Sequence, residues 1–371
     1  MRKYVITLVL AGWASIGLAQ LDNHLFENRM TVTPADSGKL WLGINVLGFA
    51  KNNEYFETVV DGYTLFGYQF NPYLAYHLSP HVRFDAGIYL QQDFGNDGYT
   101  TIAPTFSIKY QHKHMAFIFG TLESSLNHRL IEPLYDFERV LNDRLENGIQ
   151  LLWQKEGLFL DTWINWQNMI YPGDPELEVF TAGLSLTQRI ISRPSWQLEF
   201  PLQLIAYHQG GQIDQSSDPV TTFYNAASGV HLMGSSSGLC TSWGAKAYGT
   251  YFADADNSGI YPFDDGFGIY ANAYAGTSFG LTVMATYWYG NEFVSPQGGT
   301  IYPSANALYP QRIDEERQLF MMRLLYDVPL SSSLHLTCRF EPFYDTYSRS
   351  WQHALGVYLN LYDRFVLLRP R

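Results

Sequence analysis

From residue 38 to about residue 361, apolar and polar residues alternate in runs of about ten, and the breaks between runs are alternately short and long. In the run at 82–92, Val82, Phe84, Ala86, Ile88 and Leu90 share one parity, while Arg83, Asp85, Tyr89 and Gln91 share the other. Successive strand side chains point to opposite faces, so the run predicts a strand with one apolar and one polar face. The run at 196–208 repeats the pattern, with Trp196, Leu198, Phe200, Leu202 and Leu204 against Gln197, Glu199 and Gln203. Leu160, Ile164 and Trp166 alternate likewise with Asp161, Asn165 and Gln167.

Sixteen such runs can be drawn along the chain. They lie at about 39–50, 63–77, 82–92, 100–111, 115–122, 147–154, 158–169 and 178–190, then at 196–208, 223–233, 239–252, 267–275, 281–290, 317–328, 334–343 and 351–362. The short turns fall at 79–81, 112–114, 155–157, 192–195, 234–238, 276–280 and 330–333. The longer connections begin near Lys51, Asp93, Glu123, Ile170, Gln209, Ala253, Asn291 and Tyr344. Short turns on one side and long loops on the other characterise outer-membrane barrels. Closure is also what the membrane requires, because only helices and closed barrels satisfy every backbone group in lipid.

The N-terminus adds the route. Arg2 and Lys3 precede an apolar run at 4–18, and Gly17-Leu18-Ala19 supplies the small residues of a cleavage site before Gln20. The reading is therefore all-β: a closed antiparallel transmembrane barrel of about sixteen strands. Residues 1–19 are a cleaved signal, 20–37 a periplasmic lead-in, and 38–371 the barrel, with a helical third loop at about 123–145.

Composition narrows the function. Hydrophobic residues make up 46% of the chain and charged ones only 16%, against about 25% in soluble domains. The net charge is −12, and loss of Arg2 and Lys3 takes it to −14. Nucleic acid is excluded as a partner, because it demands a basic footprint. Cys240 and Cys338 fall on opposite faces of non-adjacent strands and are read as free thiols.

The signal ending in Ala19-Gln20, the sixteen strands and the long third loop resemble a porin-like outer-membrane barrel of the Bacteroidota type. The resemblance implies passive diffusion of small hydrophilic solutes and admits a homotrimer. It also implies outer-membrane lipid and lipopolysaccharide as surroundings, and the barrel-assembly machinery as a partner during insertion.

Candidate chemistry concentrates in the third loop. Leu134, Phe137, Leu141 and Leu145 follow Pro133 at helical spacing, among Arg129, Glu132, Asp136, Glu138, Arg139, Asp143 and Arg144. Folded into the lumen, these charges would form a constriction, and the excess of acids makes the expected pore mildly cation-preferring. Arg83, Lys109, Asp161, Glu199, Gln203, Lys246, Arg323 and Arg339 are the expected lumen wall, and sixteen strands leave room for water between them. Asp254, Asp256, Ser258 and Asp265 have the oxygen spacing of a calcium loop, although an ordinary polar Asp/Gly turn is the preferred reading. No other cofactor is implied.

His77, His208, His231, His335 and His353 are scattered over many strands, with no Ser/His/acid grouping, so no enzyme is expected from the sequence. Three alternatives to the channel stand: a docking barrel for a glycan or hydrophobic ligand, a barrel enzyme acting on lipid or protein, and a secretion-partner barrel with a plugged lumen.

Overall fold

The computed structural model describes residues 23–56, 58–211 and 213–369; the signal assignment and the start of the lead-in lie outside them. Sixteen strands form one closed sheet. They are β1 (Leu40–Phe56), β2 (Asp61–Ser79), β3 (Val82–Asp93), β4 (Thr101–His112), β5 (Met115–Thr121), β6 (Asn147–Lys155), β7 (Leu158–Asn168) and β8 (Val179–Ser192). The second half comprises β9 (Trp196–Gln209), β10 (Thr221–Ser235), β11 (Cys240–Asp254), β12 (Asp265–Thr277), β13 (Leu281–Asn291), β14 (Glu316–Pro329), β15 (Leu334–Asp345) and β16 (Ser350–Leu368). Each strand pairs antiparallel with the next, and β16 closes on β1. The long connections are numbered L1 to L8 in chain order. Of these, L3 is 122–146 and L7 is 292–315.

Two strand ends differ from the sequence reading. The polar stretch beginning at Lys51 continues β1 to Phe56, with Lys51, Asn53 and Tyr55 buried inside. Above the bilayer both faces of a strand tolerate polar groups, so polarity alone does not end it. At the other terminus, Phe365-Val366-Leu367-Leu368 extends β16, and Leu368 pairs with Leu40. The closing seam between β1 and β16 runs from the Glu54–His353 pair to the Leu40–Leu368 pair.

The facing pattern follows the alternation. Phe84, Ile88, Ile164, Trp166, Phe200 and Leu204 are exposed on the outside, while Arg83, Asp85, Asp161 and Gln203 are buried within. Exchanging Leu204, mid-strand in β9, for Arg should cost about 2–4 kcal/mol, the penalty for a cation at the bilayer midplane. Urea unfolding in lipid vesicles measures it; a cost near zero would mean that this face does not meet lipid. Cys240 and Cys338 are free cysteines and form no disulfide.

The interior is not simply wet. Ile118, Leu152, Phe159 and Trp163 point inward and form one apolar cluster with Leu122, Leu130, Ile131 and Leu134 of L3. L7 joins it through Phe293, Val294, Tyr302 and Ala305. The segment before β1 also enters, where Phe26 packs edge-on against Phe137 of L3 and Tyr358 of β16, each at 5.3 Å between centroids. Three segments thus fold into the lumen and bury apolar surface there, as a globular core does.

Candidate active site

L3 leaves a short hairpin, since β5 has only seven residues and β6 nine, so the loop starts low on the wall and turns inward. It then crosses to distant strands. The Ile131 N–H donates to Gln203 Oε1 at 2.9 Å on β9, and Gln203 Nε2 returns a bond to the Arg129 carbonyl at 3.0 Å. Gln69 Nε2 on β2 donates to the Val140 and Leu141 carbonyls at 2.9 and 3.0 Å. The expected helix is a single turn, α1 (Arg139–Asn142). Leu134, Phe137 and Leu141 are nevertheless all buried, so the apolar spacing anchors the loop without continuing a helix.

L3 holds two polar clusters. In the first, His128 is enclosed between Glu146 (Nε2 to Oε2, 3.0 Å) and Asp161 of β7 (Nδ1 to Oδ2, 2.8 Å). Its ring stacks on Trp163 with centroids 3.6 Å apart. Gln150 Nε2 donates to both Asp161 oxygens, and the Tyr135 hydroxyl and Ser125 N–H donate to Glu146 Oε1. Although burial disfavours its charged form, the two flanking carboxylates, Glu146 foremost, raise this loop imidazole to about 9. It is therefore a structural imidazolium with both nitrogens engaged, not a free base.

The second cluster borders open space. A pocket of about 490 Å³ is lined by Glu132, Asp136 and Glu138 of L3, Tyr302 of L7, and Lys51, Arg323 and Glu341 of the wall. Lys51 lies in the L1-side half of β1, Glu341 in the L8-side half of β15 and Arg323 at the middle of β14, so the pocket reaches from the long-loop side to about mid-barrel. Lys51 Nζ and Asn53 Nδ2 donate to Glu138 Oε1 at 2.5 and 2.8 Å, and the Tyr63 hydroxyl binds Oε2. Glu132 is bonded by Arg323 and by the Tyr302 hydroxyl, the latter at 2.7 Å.

Asp136 is fixed from two loops. Its N–H donates to the Gln297 carbonyl of L7 at 2.9 Å, and its Oδ1 accepts the Glu138 N–H at 3.0 Å. Burial first, and then the neighbouring Glu138 charge, push the Asp136 carboxyl up to about 7. A carboxylate poised there can take a proton from water near neutral pH. Two cations line the same pocket, where they could stabilise a developing oxyanion.

The other expected residues are also placed. Arg139 pairs with Asp143 at 2.6 Å, and the Arg129 guanidinium lies over the Phe159 ring at 4.0 Å. Arg144 donates to Gln69 Oε1 at 3.0 Å. On the wall, Arg83 is bound to Asp85 and Lys109 to Glu123, while Glu199 approaches His231 at 3.8 Å. Lys246 is buried on β11, and Arg339 lies over Phe137 at 4.0 Å. Arg83, Lys109 and Arg339 meet the inserted N-terminal segment, donating to the Thr31 and Met30 carbonyls and to Asn23.

In the 254–265 stretch, the Asp254 carboxylate accepts the N–H groups of Asp256 and Ser258 and the Ser258 hydroxyl at 2.7–3.2 Å. Asp256 and Ser258 thus stand as donors around Asp254, and Asp265 opens β12 opposite Ala253. Among the described residues no group of three or more His, Cys, Asp or Glu is set to hold a metal.

Sequence reasoning missed Lys51, Tyr63, Glu341, Tyr302 and His128. Lys51 sat in an expected loop, and the inward course of L7 has no local signature. Only the apolar character of β5 on both faces, Met-Ala-Phe-Ile-Phe, showed that its inner side is covered.

The closed sixteen-strand sheet with its lipid-facing apolar band makes this an outer-membrane β-barrel. A family model described as lipid A 3′-O-deacylase-type matches residues 32–370, and the chain belongs to that family. No curated protein matches. Among solved structures, the barrel is similar to the outer membrane protein OprD of Pseudomonas aeruginosa, at 12% identity and a TM-score of 0.52, covering 91% of this chain and 98% of that one. It is also similar to a loop L8 deletion mutant of OmpT of Vibrio cholerae, at 11% identity and a TM-score of 0.52, covering 88% and 100%. At these identities the likeness is one of fold, and it bears out the porin-like architecture.

The family corrects one expectation. A barrel without enzymatic activity was the sequence reading, and membership of a deacylase family overturns it. In the L3 pocket, Lys51, Tyr302, Arg323 and Glu341 reach Glu132, Asp136 and Glu138 from distant positions, so the full grouping has no local signature.

Proposed function

We propose that this barrel hydrolyses an acyl ester of lipid A, the 3′-O-linked chain, in the outer leaflet. The observation that carries the reading is the family match, which extends over residues 32–370. The pocket on the long-loop side supports it with suitable chemistry. Asp136, ionised, takes a proton from a water molecule as that water's oxygen bonds to the ester carbonyl carbon. Lys51 and Arg323 stabilise the oxyanion. Collapse breaks the bond to the sugar oxygen, which leaves as the alcohol after receiving the proton, and the acyl chain leaves as a fatty acid. Mass spectrometry of lipid A incubated with the purified barrel tests this. Loss of one 3′-O-acyl chain is the expected result, and unchanged lipid A rejects the reading.

A second reading rests on a different observation. A cavity of about 880 Å³, open solvent included, lies between L3 and the wall of β1–β4, which favours residual passage of small hydrophilic solutes. Planar-bilayer recording decides it: discrete steps that grow when residues 130–144 are deleted are expected, and silence in both proteins removes the channel.

A further inference from the structure

The cavity beside L3 has a chemistry of its own. Its walls are β1–β4, L3 and the inserted N-terminal segment, which contributes Phe26, Asn28 and Met30. Its empty space, open solvent included, is about 880 Å³. Amides and hydroxyls line it together with Tyr73 and Tyr89. Three of its buried polar atoms have no hydrogen-bond partner: Asn45 Oδ1, Ser125 Oγ and Asn127 Oδ1. Buried polar atoms are seldom left unmade, so three in one roomy cavity mark bonds that an occupant completes.

Charge says what kind of occupant. Two arginines line the cavity. Arg83 is matched by Asp85 through two bonds of 2.7 Å. Arg144 donates to the neutral amide of Gln69, and no carboxylate among the described residues pairs with it. The nearby acids are committed elsewhere, Asp143 to Arg139 and Glu146 to His128. The cavity therefore carries one uncompensated guanidinium, whose planar fork suits a carboxylate. Water could satisfy the orphan amides, but it leaves that charge unmatched.

We propose that this cavity binds a small polyhydroxylated carboxylate, an acid sugar or sugar acid. Its carboxylate sits on Arg144, and its hydroxyls donate to Asn45 and Asn127 and bond Ser125. The site is separate from the Asp136 pocket and does not depend on lipid A hydrolysis.

Isothermal titration of the purified, full barrel in detergent with D-gluconate tests the proposal, with D-sorbitol as the uncharged match. Saturable gluconate binding is expected, with sorbitol weaker by roughly ten-fold or more, as for loss of a charge-assisted bond. Arg144→Gln should bring gluconate down to the sorbitol level. Asn127→Leu should weaken both probes and keep their order, which preserves the test if Arg144→Gln fails to give the compact band of a folded barrel on an unheated gel. Absence of saturable gluconate binding, equal binding of the two probes, or an Arg144→Gln barrel that still prefers gluconate would overturn the assignment.

Discussion

Replacing His128 by Ala should destabilise the barrel by about 3–5 kcal/mol, the cost of removing one partner from a buried charge pair. The variant leaves Glu146 and Asp161, both fully buried, without the cation between them. It also removes the ring stacked on Trp163. The dependence on pH has a definite sign. A histidine raised to about 9 in the folded chain, against about 6.5 unfolded, contributes fully below pH 6.5 and loses that contribution as pH rises through 9. Urea unfolding in detergent micelles at pH 6 and pH 10 measures both effects. A loss under 1 kcal/mol at pH 6, or a loss equal at the two pH values, would show that His128 is not the imidazolium holding L3 to the wall.

Asp136→Asn should lower the rate of lipid A deacylation by about 10²–10⁴-fold, the usual contribution of a positioned general base. The base acts when ionised, so wild-type activity should rise with pH through about 7 and level off above it. In the variant that rising limb should vanish, while the unheated barrel keeps its folded mobility. Rates measured from pH 5 to pH 9 on lipid A in mixed micelles provide the test. A variant that keeps the wild-type limb would place the base elsewhere.

Much of the fold was legible because membrane barrels write their geometry at a period of two. Phe84 and Ile88 must meet lipid while Arg83 and Asp85 must not, and this constraint recurs strand after strand; strand number and facing were therefore readable to within a few residues. Departures came where the constraint lapses. Lys51 and Asn53 point into the barrel and bond Glu138 of L3, so their polarity did not mark the end of β1. Leu368 pairs with Leu40, a contact between chain ends that no local pattern records.

The site was legible only in part. Glu132, Asp136 and Glu138 stood out because charges and apolar residues were interleaved after Pro133, and all three line the pocket. Their partners did not stand out. Gln203 illustrates the difficulty: its parity placed it inside, where water was expected, yet it is bonded to the Ile131 and Arg129 backbone. An inward polar side chain looks the same in sequence whether it faces water or a loop.

Alternation along the chain thus determined by itself that this protein is a sixteen-strand barrel, which residues face lipid, and that a charged third loop hangs between β5 and β6. Tertiary structure alone decided what fills the barrel. L3, L7 and the N-terminal segment meet inside through Asp136 and Gln297, Glu132 and Tyr302, Phe26 and Phe137. Those pairs are each more than a hundred residues apart in sequence and share no period. They form because buried apolar surface and unmet polar groups inside a closed wall have only each other to bind.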